Sequence, residues 1–148
     1  MTTKTIALIA HDRTKPDLLE WVGRHVEKIQ DFTIVATGTT GSLIKKSHPQ
    51  LAISTVKSGP LGGDQQVGAM IANGEIDIMI FLEDVMTPQP HDVDIKALLR
   101  LAVLYELPLA CNRITADLLM ENLEMALKFR DEYPHPEQKF LEYLKRNV

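Results

Sequence analysis

Five short apolar runs, at residues 5–10, 33–36, 51–56, 76–82 and 107–111, constrain the fold of this chain more than any other feature. Several are rich in Ile and Val with little polar alternation, the pattern of parallel strands covered on both faces. Between them lie segments with helical spacing. In the first, Thr14 is placed to cap, Pro16 suits an early helical position, and Leu18, Val22, Val26 and Ile29 share one stripe. Ahead of the fifth run, Asp92 or Asp94 starts a helix whose Ile95, Leu98, Leu99 and Ala102 face inward. Beyond that run, Leu119, Leu123, Ala126 and Leu127 mark one further helix. A last helix over 137–146 carries Phe140, Leu141 and Leu144 on its apolar side, after a break at Tyr133-Pro134-His135-Pro136. Strand–helix alternation of this kind predicts a three-layer α/β/α, doubly wound domain with right-handed crossovers. A length of 148 residues suits one domain over 1–148 with a core that needs no staples.

In open α/β sheets, ligands bind beyond the carboxyl ends of the strands. The polar residues of this chain gather there. The first run leads into His11-Asp12-Arg13-Thr14-Lys15, and the second into Thr37-Gly38-Thr39-Thr40-Gly41. The third ends in Ser58-Gly59-Pro60, with Leu61-Gly62-Gly63-Asp64 beyond, and the fourth in Glu83-Asp84, then Pro90-His91-Asp92-Val93-Asp94. Glycines in such loops let backbone N–H groups approach a ligand closely. Backbone donors at a helix start favour an anion and hold a neighbouring carboxylate ionised. Two glycine-rich turns and one carboxylate, Asp64, therefore suggest proton abstraction from a small phosphorylated substrate. Taken singly, each element has a plainer reading: Asp64 as a helix N-cap, Thr37–Gly41 as a strand-to-helix turn, Asp94 as an acid favoured near a helix start. Neither turn is a Walker loop, and neither matches G-x-G-x-x-G. Asp77, before the fourth run, reads as structural; Met70, Met79, Met120 and Met125 read as packing residues, and Lys45, Lys46, Lys128 and Arg130 as solvated charges.

A net charge of −4 argues against a nucleic-acid partner. Cys111 is the single cysteine, which forbids an internal disulfide and fits a reducing cytoplasm. No apolar stretch approaches the ~18 residues of a membrane span, and the start of the chain lacks the pattern of a signal peptide. His11, Asp12, Asp84, His91 and Asp94 are metal-ligand types, yet no compact ligand motif joins them and no metal is expected. Nothing near Cys111 marks it as a nucleophile.

Taken together, Leu8-Ile9-Ala10-His11-Asp12 with Lys15, Ala36 to Gly41, Ser58 to Gly68, and Pro90-His91-Asp92-Val93-Asp94 followed by Lys96-Ala97-Leu98-Leu99-Arg100 resemble the methylglyoxal synthase family, over about residues 5–117. The resemblance implies a five-stranded parallel sheet in the order 3-2-1-4-5 and a homohexamer. It implies conversion of dihydroxyacetone phosphate to methylglyoxal and phosphate; the elimination needs no cofactor, and phosphate, a product that fits the same loops, is a candidate inhibitor. By motif, Asp64 is the acid/base residue and Asp94 a second catalytic-site carboxylate. His11, Lys15, Thr37, Gly38, Thr39, Thr40, Ser58, Gly59 and His91 match substrate-binding positions, with His91 also a proton donor. Where the family often has aromatic-Asp-Pro after the fourth strand, this chain has Glu83-Asp84-Val85. The rival readings are a phosphosugar isomerase and a non-catalytic sensor of a phosphorylated metabolite; Asp64 facing His91 favours chemistry over binding alone.

Overall fold

Parallel pairing of the apolar runs builds a single sheet in the order β3-β2-β1-β4-β5. The computed structural model describes residues 3–146. The strands are β1 (Thr5–Ala10), β2 (Thr33–Thr37), β3 (Ala52–Val56), β4 (Ile78–Leu82) and β5 (Leu109–Ala110). The helices are α1 (Lys15–Ile29), α2 (Gly38–Ser47), α3 (Gly63–Ala72), α4 (Asp92–Leu104), α5 (Arg113–Glu121), α6 (Leu123–Glu132) and α7 (Pro136–Leu144). Ile6 of β1 pairs with Ile34 on one side and with Ile78 on the other, so β1 is central.

Alternate residues of each strand face opposite sides of the sheet. Ile6 and Leu8 lie with Leu18, Trp21 and Val22 of α1, Ile44 of α2 and Met120 of α5 in one core cluster. Ala7 and Ile9 lie with Val67 and Ile71 of α3 and Ile95, Leu98 and Ala102 of α4 in the other. Helices thus cover both faces, as the strand–helix alternation predicts. Each fully buried Ile, Leu or Phe contributes about 1.5–3 kcal/mol, which makes these two layers the main support of the site above them. Between β1 and β4 the winding direction reverses, because β2 and β3 lie to one side of β1 and β4 and β5 to the other.

Several local expectations change. Strand β3 lies at the edge of the sheet and has no buried residue. The fourth strand begins at Ile78 because Asp77 Oδ2 accepts the Thr5 N–H at 2.8 Å and so keeps to the structural role expected of it. One expected helix after β5 is two, α5 and α6, broken at Asn122 (φ −120°, ψ 33°). The Asn122 amide side chain donates to the Leu118 carbonyl at 2.9 Å and competes with the helical ladder. Arg130 is buried rather than solvated, and Met125 is 48% exposed rather than packed. Thr14 occupies the cap position of α1, but its hydroxyl makes no cap bond. The apolar side of α7 is uncovered, with Phe140, Leu141 and Leu144 all more than half exposed.

Candidate active site

At the reversal point a cavity of about 260 Å³ opens over the carboxyl ends of β1, β2 and β3. Drug-sized ligands occupy roughly 300–1,000 Å³, so this volume suits a smaller molecule. Its lining includes His11, Lys15, Thr37, Thr39, Thr40, Ser58, Gly59, Asp64 and His91. Nine of the eleven residues singled out from the sequence therefore meet in one place. Gly38 is not in the wall but fixes it: a Cβ there would fall 2.9 Å from that of Ser58, so the two glycine-rich turns touch through Gly38, whose φ is +23°. Asp94 lies behind the cavity, in a neighbouring groove between α3 and α4 that Asp64 also borders. Gln89 lines the cavity and was not anticipated. The signal for it was its setting, Pro88-Gln89-Pro90, a stiff segment directly before His91.

Each side chain is placed by its own element. The turn Gly59–Leu61 and Gly62 (φ 101°) carry the chain back over the sheet, which sets Asp64 in the first turn of α3. Gly63 leaves no alternative: a Cβ there would stand 1.8 Å from the Lys57 carbonyl oxygen. His91 precedes the first residue of α4, and its Nε2 lies 3.7 Å from Asp64 Oδ2. Gly59 makes room for both, since an added Cβ would meet His91 Nε2 at 2.7 Å and Asp64 Oδ1 at 3.4 Å. Lys15, at the start of α1, bonds Asp12. His11 is buried and its Nδ1 accepts the backbone N–H of Asp84 at 2.9 Å.

Asp64 is 2% exposed, and burial pushes its carboxyl above the ordinary aspartate range. His91 opposes this and Asp94 adds to it. Desolvation is the largest influence on this carboxyl, so the expected ionising influence of the turn loses to it. His11 moves the other way: burial first, then His91, lowers its pKa and favours the neutral ring. The Lys15 bond holds Asp12 below the usual carboxylate range. Partial desolvation and Glu83 raise the Cys111 thiol, the reverse of nucleophile activation.

Buried polar atoms in folded proteins almost always have partners. Among the described residues six side-chain atoms lack one, and four of them belong to cavity residues: His11 Nε2, Thr40 Oγ1, Asp64 Oδ2 and His91 Nδ1. Two of these, on Thr40 and His11, are a hydroxyl and a ring nitrogen able to donate, while Asp64 Oδ2 accepts. A base, donors and a nearby ammonium around a small cavity match deprotonation of an anionic substrate. Among the described residues no group of three His, Cys, Asp or Glu side chains is arranged to hold a metal ion.

Comparison with known proteins points the same way. The family model of the MGS-like domain matches residues 17–111. The chain is 50% identical over 143 residues to the methylglyoxal synthase of Oleidesulfovibrio alaskensis, covering 97% of this chain and 95% of that protein. It is 55% identical over 120 residues to the methylglyoxal synthase of Rhizobium rhizogenes, covering 81% and 95%. The crystal structure of methylglyoxal synthase from Elizabethkingia anophelis superimposes with a TM-score of 0.81 at 45% identity, over 99% of this chain and 93% of that one. Sheet order, site motifs and near full-length identity agree: this chain belongs to the methylglyoxal synthase family.

Proposed function

We propose that the protein is a methylglyoxal synthase, a carbon–oxygen lyase that converts dihydroxyacetone phosphate to methylglyoxal and inorganic phosphate. The observation that carries the reading is the buried, unpaired Asp64 Oδ2 facing His91 across 3.7 Å, beside two glycine-rich turns. Asp64 removes a proton from the hydroxymethyl carbon next to the ketone, and the electron pair moves onto the carbonyl oxygen. A desolvated carboxylate is a stronger base than one in water, and such a general base contributes about 10²–10⁴-fold. His91 donates to the enediolate and passes a proton between its two oxygens. The enediolate then expels phosphate: the bridging C–O bond breaks with its electron pair on the phosphate. The enol aldehyde that remains regains a proton at carbon to give methylglyoxal.

Lys15, Thr37, Thr39, Thr40, Ser58 and the backbone at Gly38 and Gly59 cradle the phosphate and stabilise its growing charge. An isomerase must keep that group in the enediolate plane; this site holds the C–O bond perpendicular, so elimination follows. Asp94 acts from behind, by raising the proton affinity of Asp64. Free phosphate fits the same cradle and inhibits.

A homohexamer of single-domain chains fits the uncovered apolar surface, which includes the groove of Gly68, Ala69, Ala72 and Ala97 and the face of α7; a monomeric mass in sedimentation equilibrium would contradict it. Among the described residues no helix is long and apolar enough to cross a membrane, and the single cysteine suits the cytoplasm. The test of function is direct. Purified protein with dihydroxyacetone phosphate and a chelator should release methylglyoxal and phosphate in equal amounts. Glyceraldehyde phosphate in their place would make it an isomerase, and binding without turnover a sensor.

A further inference from the structure

We propose that Thr14 is a positioning residue: its hydroxyl joins the ends of β1 and β4 and so holds His11 against the Asp84 amide, leaving one fixed Nε2–H donor for the substrate. The inference rests on the reading of the cavity given above and adds a residue to it. Thr14 sits in the 3-10 turn between β1 and α1, outside the cavity wall. Its hydroxyl oxygen is 2.6 Å from the carbonyl of Leu82, the last residue of β4, and 3.1 Å from that of His11. A hydroxyl carries one proton, and the shorter contact takes it. The lone pairs remain free to accept the His11 backbone N–H at 3.0 Å. One side chain thus fastens the residue after β1 to the exit of β4.

Two residues past Leu82, the chain delivers the Asp84 N–H to His11 Nδ1 at 2.9 Å. The Asp84 carboxylate accepts from Met86 N–H at 3.1 Å, which fixes the turn that aims this donor. A nitrogen that accepts a backbone N–H cannot itself be protonated, so the ring proton must lie on Nε2. Nε2 is the atom left buried and unpaired on the cavity side. Protonating Nδ1 would set two N–H groups against each other, so the ring stays neutral. Phe81 and His91 meet the ring edge-on at 5.4 and 5.7 Å between centroids and pack against it. The titratable groups facing it are His91, which lowers its proton affinity, and Asp84, Asp92 and Asp12, which raise it. Burial, the largest influence, and the backbone donor both favour the neutral ring. A neutral donor strengthens as negative charge grows on the substrate oxygen without surrendering its proton.

The test needs no turnover for its first arm. In protein labelled with ¹⁵N-histidine, the His11 ring, assigned by its loss in His11→Asn, should show the Nε2–H tautomer alone. Thr14→Val should give a mixture of tautomers and lower kcat by about tenfold to a hundredfold, the scale of a misplacement of about 1 Å. Thr14→Ser, which keeps the hydroxyl, should restore both readouts to within about threefold of the parent protein. An Nδ1–H tautomer or a mixture in the parent protein overturns the inference, and so does a Val variant indistinguishable from it in spectrum and kcat. If the Val variant fails to fold, Thr14→Ala, which also removes the hydroxyl, is read in its place by the same two measurements. Failure of the parent protein to make methylglyoxal would refute the proposed function instead, and the tautomer shift between Thr14→Val and Thr14→Ser would still decide the role of Thr14.

Discussion

Gly59→Ala isolates the geometry of the base and its neighbour from the stability of the fold. The backbone at Gly59 needs no left-handed conformation, so alanine is admissible there on dihedral grounds. Its Cβ, however, would stand 2.7 Å from His91 Nε2, 3.0 Å from His91 Cδ2 and 3.4 Å from Asp64 Oδ1. Comfortable contacts between such atoms lie near ~3.5–4 Å, so the imidazole must retreat by close to ~1 Å. A displacement of that size at the reacting centre costs on the order of a hundredfold in kcat, equivalent to about 2.7 kcal/mol of barrier. Folding stability should barely change, because alanine reduces the freedom of the unfolded chain by about 0.4–1 kcal/mol and offsets part of the contact. The assay is initial-rate formation of methylglyoxal with a thermal melt in parallel. A variant within about threefold of the parent kcat would show that the imidazole position does not matter, and the mechanism built on it would fail.

Two more perturbations separate chemistry from scaffold. Asp64→Asn should abolish turnover yet raise the melting temperature. The folded pKa of Asp64 lies above its unfolded value, so ionisation costs stability as pH rises through that window, and above it the cost is fully present and the amide removes it. In the parent enzyme the same shift places the acid limb of kcat above the ordinary aspartate value of 3.8, and a limb at or below that value would contradict the burial argument. Gly63→Ala should destabilise by about 3 kcal/mol or more, because its Cβ would overlap the Lys57 carbonyl and backbone does not yield cheaply. That corresponds to a fall of roughly 6–12 °C in melting temperature, and an unchanged melt would refute the overlap.

Much of the architecture was legible because it depends on pattern. The Ile and Val runs gave β1 to the residue, and four polar turns after four strands identified the edge where the cavity lies. What stayed hidden depends on partners far along the chain. Thr14 reads as a helix cap, since nothing local says that a carbonyl 68 residues away takes its proton. The burial of Asp64 outweighs its turn amides, a balance set by how tightly α3 and α4 close over it. The stripe through Leu119 and Leu123 is continuous in period, and only the bond from Asn122 to Leu118 breaks it. Gln89 carried no motif of its own.

The cavity is stitched from the exits of separate strands, and its partners lie as far apart in the chain as His11 and His91. No contiguous stretch of polypeptide holds a working fragment of it. A ribosome must release α4 before base and donor first face each other, so nascent copies stay silent. A chain whose two parts separate between those points loses base and donor together. For a catalyst whose product is an aldehyde able to modify proteins, such all-or-none assembly means that damage extinguishes output instead of letting it leak.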